Sequence, residues 1–227
     1  MEMKERLKQW NVWKWETKNQ AMYEKFDENR WPWFNEDLDP DIEAYLQDNN
    51  LQNLDILDLG TCTASQAIEL AKRGHNLVGS DISDTALAKA REALAKQPDV
   101  RVELVKDDIT ESKLAKNQFD MILDRGCYHS ICVFNTPEYI AGVKRVLKPG
   151  GILLLKTMSS KEERFVAYDK IAENLTIQMP FHFTEEKFHE VLGPHFDILE
   201  VRDSFFYSTV VNPPAQARFV IIRNRAE

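Results

Sequence analysis

Asp58 and Gly60 close an apolar run at residues 54–59, and Asp81 stands 21 positions after the glycine. A strand that ends at a glycine turns backbone amides toward a ligand at the start of the next helix, and a carboxylate at that offset can bind ribose hydroxyls. The pairing predicts a site for a nucleoside-bearing ligand. Cys62 and Ala64 stand where further glycines are expected, so on these residues alone a strand-helix-strand unit without a ligand stays open. Asp58, Asp81, Asp108 and Asp124 fall at or near the carboxyl ends of four predicted strands, the edge where open α/β sheets bind ligands. Helix caps or turn formers are the alternative reading of such aspartates.

Asp124-Arg125-Gly126-Cys127-Tyr128-His129 leaves the fourth predicted strand and sets a carboxylate, a guanidinium, a thiol, a phenol and an imidazole along one edge. Imidazole titrates near neutrality when unperturbed, which makes His129 a candidate proton acceptor, with Asp124 and Tyr128 beside it. A hydrogen-bonded structural histidine is the alternative. Cys127 and Cys132 read as small core fillers. The three cysteines form no Cys-x-x-Cys pair, and His75, His182, His189 and His195 show no metal spacing, so no metal is expected.

Periodicity and punctuation predict the elements that hold these groups. Asp39 followed by Pro40 predicts a helix over 40–48. Strands are predicted at 54–59, 76–80, 100–105, 119–123 and 152–157. Helices are predicted at 65–73, stopped by Gly74, at 85–95, capped by Ser83 or Asp84, and from Thr136-Pro137 to the Lys148-Pro149-Gly150-Gly151 turn. A polar helix around 161–174, a Thr184-capped helix to Gly193 and two β-like runs, 196–206 and 218–223, complete the series. Asn212-Pro213-Pro214-Ala215 reads as the loop between those runs. The alternation implies an α/β fold, a doubly wound parallel sheet with helices on both faces. The last two strands have no crossover-length segment between them and should pair antiparallel at an edge.

All five tryptophans, Trp10, Trp13, Trp15, Trp31 and Trp33, fall in the first 33 residues. That much aromatic surface must dock, so residues 1–49 read as a helical lid or buttress on a ligand-binding domain over residues 50–227. Trp31-Pro32-Trp33 is extended and close to the expected ligand edge. At 227 residues and 43% hydrophobic content the chain builds its core without staples. No apolar run approaches the ~20 residues needed to cross a bilayer, and Met-Glu-Met-Lys-Glu-Arg-Leu-Lys lacks the apolar stretch of a secretory signal, so a cytoplasmic location is expected. The net charge of −8 argues against nucleic acid as the main partner and favours a small molecule.

In this order the parts resemble the class I S-adenosylmethionine-dependent methyltransferases over residues 54–223. Leu57-Asp58-Leu59-Gly60 is similar to the glycine-loop motif, Asp81 to the ribose-binding acid and Asp107-Asp108-Ile109 to the adenine-contacting turn. Residues 119–124 are similar to the fourth-strand motif, and 148–151 to the turn before the fifth strand. Asp124 through His129, the Trp-Pro-Trp lead-in, Asp203-Ser204-Phe205 and Ala217-Arg218-Phe219-Val220 resemble small-molecule methyltransferases of the thiopurine and tellurite-resistance type.

The resemblance implies a seven-stranded, mostly parallel Rossmann-like sheet with an antiparallel edge strand. It also implies S-adenosyl-L-methionine as cofactor and methyl transfer to sulfur, oxygen or nitrogen of a small-molecule acceptor. Cofactor contacts are implied for Trp33, Asp58, Gly60, Cys62, Asp81, Ile82, Asp108, Ile109, Asp124 and Arg125, with Asp81 on the ribose, Asp108 on the adenine amino group and Ile109 against the ring. Indole faces at Trp31 and Trp33 suit a cationic sulfur. Asp124, Tyr128 and His129 are then the candidate catalytic residues. The departures at Cys62 and Ala64 keep a catalytically silent binder of the same ligand as the alternative. A nicotinamide-dependent oxidoreductase would need glycines where Cys62 and Ser65 stand.

Overall fold

Strand and helix alternate along the computed structural model, which describes Gln9, residues 31–172 and residues 175–225. Trp10, Trp13 and Trp15 lie outside the described residues. Asp39 accepts a hydrogen bond from the Asp41 amide and Pro40 enters the first turn, so α1 (Pro40–Asp48) begins where those two residues dictate. β1 (Asp55–Leu59), α2 (Ser65–Lys72), β2 (Asn76–Asp81), α3 (Asp84–Ala95), β3 (Val102–Lys106) and β4 (Phe119–Arg125) follow. Then come α4 (Tyr128–Val146), β5 (Leu147–Met158), β6 (Ala167–Ala172), β7 (Leu175–Met179), α5 (Glu185–Val191), β8 (Asp197–Phe206) and β9 (Ala215–Arg223).

The seven-stranded sheet has the order β3-β2-β1-β4-β5-β9-β8, with β1 to β5 parallel. The last two strands pair antiparallel at the edge, as expected; β9, one position in, runs against both neighbours. Alternate residues of each strand feed opposite cores. Leu57, Ile122, Leu153 and Ile222 pack under α4 and α5 with Tyr139, Val143 and Phe188. Ile56, Met121, Leu154 and Ile221 pack with Ile42 and Leu46 of α1 and Ala67 and Ile68 of α2. Burying one such leucine or isoleucine is worth roughly 1.5–3 kcal/mol, so two layers of them hold the sheet edge that carries the site.

Two expected elements differ. The helix placed at Thr136 begins at Tyr128, because the Asp124 carboxylate accepts the Cys127 and Tyr128 amides (2.8 and 3.0 Å) and starts the helix directly after β4. The predicted boundary survives as a kink at Asn135 (φ −137°, ψ 38°) before Pro137. Residues 161–172 do not form the expected polar helix. They carry β6, paired antiparallel with β7, because Leu-Thr-Ile-Gln-Met at 175–179 supplies an alternating partner that local propensity does not register.

Candidate active-site cleft

A cavity of about 450 Å³ opens over the carboxyl ends of β1 to β4. Its floor is the loop after β1. Gly60 has φ +70°, and a Cβ there would lie 3.1 Å from that of Cys127, so both conformation and space require glycine. Cys62 (φ 51°) and Ala64 (φ 60°) also adopt the left-handed conformation. The loop therefore follows a path suited to glycines while carrying side chains, at a cost of roughly 1–2 kcal/mol per residue.

Two carboxylates tie the loop down. Asp58 accepts the Thr61 hydroxyl at 2.6 Å, and its burial pushes its pKa up to about 6. Asp81 accepts the Cys62 amide at 3.0 Å and the Ser83 amide at 2.9 Å, and burial raises its pKa as well. Ala64 caps α2 without any side-chain hydrogen bond, and Ser65 and Gln66 of its first turn line the cavity. Cys62→Gly is expected to change stability by less than ~1 kcal/mol, since relief of the left-handed strain offsets the added backbone entropy. Cys62→Val, β-branched at positive φ, is expected to cost ~1–2 kcal/mol; urea denaturation of both variants checks the contrast.

After β3 the chain offers two aspartates with different tasks. Asp108 Oδ1 accepts the Thr110 amide (2.9 Å) and hydroxyl (2.7 Å), capping the short 3₁₀ turn Ile109–Glu111. Asp107 Oδ1 accepts the Lys113 amide at 2.8 Å, while Oδ2 is buried with no hydrogen-bond partner. Both residues line the cavity, as do Ile82 and Ile109. Sequence reasoning singled out Asp108 for the polar contact and passed over Asp107; adjacency in the sequence carries no signal for which carboxylate is already spent.

The segment after β4 divides sharply. Asp124 is fully buried, accepts the Cys127 and Tyr128 amides and the Tyr139 hydroxyl (2.8 Å), is raised by burial to about 6, and does not line the cavity. Tyr128 is also buried away from it, its ring 4.4 Å from Tyr139 and 5.4 Å from Phe183, and burial pushes its phenol up. These two expected catalytic residues hold α4 in place; neither reaches the cleft, because the helix that they initiate turns them into the core. His129 does line it. Its Nδ1 accepts the Met158 amide hydrogen at 3.1 Å, so the neutral ring carries its proton on Nε2 and acts as a donor rather than the expected base.

Arg125 spans the cleft. It donates to Asp39 Oδ2 (2.9 Å), the Trp33 carbonyl (2.8 Å) and the Tyr207 carbonyl (2.9 Å), and its guanidinium lies 5.3 Å from the centre of the Phe206 ring. Three of its five N–H donors thus join two walls of the cavity that it lines. Pro32, Trp33 and Phe34 form part of one wall, with Trp31 buried behind them beside Ala86. The far end of the cavity is lined by Met158, Phe165, Met179, Phe206 and Val211. Met158, Met179 and Phe206 come from three strands and Phe165 and Val211 from loops, a convergence that no local pattern announces.

The fold and this geometry can be set beside known proteins. Residues 50–195 match a family model described as a methyltransferase domain. The chain is 25% identical over 177 residues to the 2-heptyl-1-hydroxyquinolin-4(1H)-one methyltransferase of Mycobacteroides abscessus, covering 78% of this chain and 73% of that protein. A structure solved in work on conversion of a disulfide bond into a thioacetal group during echinomycin biosynthesis superposes with a TM-score of 0.71 at 21% identity, covering 90% of this chain and 91% of the other. The Burkholderia thailandensis 1,6-didemethyltoxoflavin-N1-methyltransferase superposes with a TM-score of 0.62 at 18% identity over 98% and 88% of the two chains.

Proposed function

This chain belongs to the methyltransferase-domain family, an S-adenosylmethionine-dependent methyltransferase, and from that premise we propose that it methylates a small, flat, largely apolar acceptor at a sulfur, oxygen or nitrogen atom that brings its own lone pair. The cleft suits the cofactor. The amides at the uncapped start of α2 suit the carboxylate end, Asp81 retains lone pairs for ribose hydroxyls, and Ile82 and Ile109 flank the space for a purine. The orphaned, buried Oδ2 of Asp107 supports a polar contact to the nucleobase there. When bound, S-adenosylmethionine supplies the electrophilic methyl group and its own leaving group.

The observation that carries the acceptor reading is the composition of the far end of the cavity. Met158, Phe165, Met179 and Phe206 offer apolar, polarisable surface, and His129 presents a donor, so flat aromatic molecules are favoured. The carboxylate and phenol expected to take a proton are turned into the core, so the chain's contribution is to orient the acceptor and exclude water. An acceptor that arrives ionised would release no proton on methylation, and the chain would then need no base. The M. abscessus relative is named for an N-hydroxyquinolone with a heptyl chain, an acceptor of this kind. Residues 31–49 serve as a cap on one side, with the Trp33 carbonyl held by Arg125.

Two measurements test this reading. Calorimetric titration with S-adenosylhomocysteine should show binding at one site per chain. Across aromatic thiols, N-hydroxy heteroaromatics and phenols, the pH dependence of kcat/KM should track each acceptor's own pKa. A single pKa shared by all acceptors would reveal an enzyme base and overturn the proposed division of labour.

A further inference from the structure

Asn135 sits where α4 breaks, with φ −137° and ψ 38° inside an otherwise helical stretch. It is 4% exposed and lines the cleft, and among the described residues no group hydrogen-bonds its side-chain amide. With no partner among those residues, the amide keeps its acceptor and both donors for a group bound in the cleft.

We propose that Asn135 determines nucleobase specificity, by hydrogen-bonding the polar edge of the purine in the bound cofactor. The inference rests on the cofactor placement proposed above. α4 presses directly on the segment after β3: a Cβ at Gly142 would lie 1.9 Å from the Ile109 carbonyl oxygen. Ile109 and Thr110 of that segment line the cavity together with Ile131 and Asn135 of α4, so the amide belongs to the wall at the purine end. A side-chain amide presents an acceptor beside two donors, the complement of an adenine edge where an exocyclic amino group adjoins a ring nitrogen. Asp107 Oδ2, also buried and without a hydrogen-bond partner, lies on a residue bordering the same cavity, and offers only an acceptor. An acceptor alone recognises an amino group; the amide adds a donor for the ring nitrogen next to it.

The test is titration calorimetry of the full chain and Asn135→Leu with S-adenosylhomocysteine and with adenosine, combined with thermal denaturation of the ligand-free proteins. Asn135→Leu keeps the branched shape and cannot hydrogen-bond. It should weaken both ligands by about tenfold and by the same factor, while the ligand-free Tm stays within about 2 °C of the native chain. Unchanged affinity for both ligands in a folded variant would overturn the proposal. So would unchanged adenosine binding with a raised KM for the acceptor, which would move Asn135 to the acceptor side. Should Asn135→Leu fail to fold, Asn135→Ser, too short to span both atoms of a purine edge, gives the same comparison. Failure of the native chain to bind S-adenosylhomocysteine would be a different result, striking the cofactor placement itself.

Discussion

Asp39→Ala is expected to lower stability by about 3–5 kcal/mol, the cost of leaving buried cations without their partner. Asp39 is fully buried, ion-pairs with the fully buried Lys156 ammonium, and accepts from Arg125 at 2.9 Å. Lys156 reaches on to Asp41 at 2.6 Å, and Asp41 to Arg202 at 2.7 Å. The network fastens α1 and the Trp33 wall to β4, β5 and β8. Removing Asp39 leaves Lys156 with Asp41 and the Phe205 carbonyl, strips Arg125 of its ionic partner, and also deletes the α1 cap. At this chain length the loss corresponds to a fall in Tm of roughly 10 °C. The double variant Asp39→Asn, Lys156→Met should lose less than the sum of the single changes, because the fully buried Lys156 ammonium is then not left without its Asp39 partner. Urea denaturation of the four proteins measures it. A single variant within 1 kcal/mol of the native chain would show that the cluster is not what holds the wall.

The second large effect is expected at Asp81. On the cofactor placement proposed above, its carboxylate would accept two ribose hydroxyls in charge-assisted bonds worth ~1.5–3 kcal/mol each, so Asp81→Ala should weaken S-adenosylhomocysteine by about a hundredfold or more. The geometry adds a cost that the sequence did not disclose. Both carboxylate oxygens already accept backbone amides, from Cys62 and Ser83, so the loop after β1 loosens as well. A stability loss of ~1–3 kcal/mol accompanies the loss of affinity. Asp81→Asn keeps one acceptor oxygen and should fall between the two. Titration calorimetry reads the affinities, and an Asp81→Ala protein that binds within threefold of the native chain would remove Asp81 from the ribose site.

The sequence by itself determined the order of strands and helices apart from β6 and β7, the strand ends that form the cleft floor, and the glycine-aspartate pair at Gly60 and Asp81. These are legible because they depend on local physics: a strand's buried run, a cap such as Ser83, whose hydroxyl accepts from the Ala86 amide three residues on, and the carboxyl edge where parallel strands must end. Tertiary structure alone decided what each polar side chain does. Asp124, Tyr128 and His129 lie within six residues, yet helix initiation by Asp124 turns the first two into the core and leaves the third on the cleft. Asp107 and Asp108 are neighbours of the same type, and only the path of the following 3₁₀ turn spends one carboxylate oxygen on Thr110 and strands another. Lys156 and Asp39, 117 positions apart, carry no mutual signal along the chain. The apolar acceptor wall likewise joins Met158, Met179 and Phe206 from three strands. Periodicity records which face of an element is buried; which partner waits there is set by long-range packing, in which contacts between distant residues outweigh the preferences of either segment.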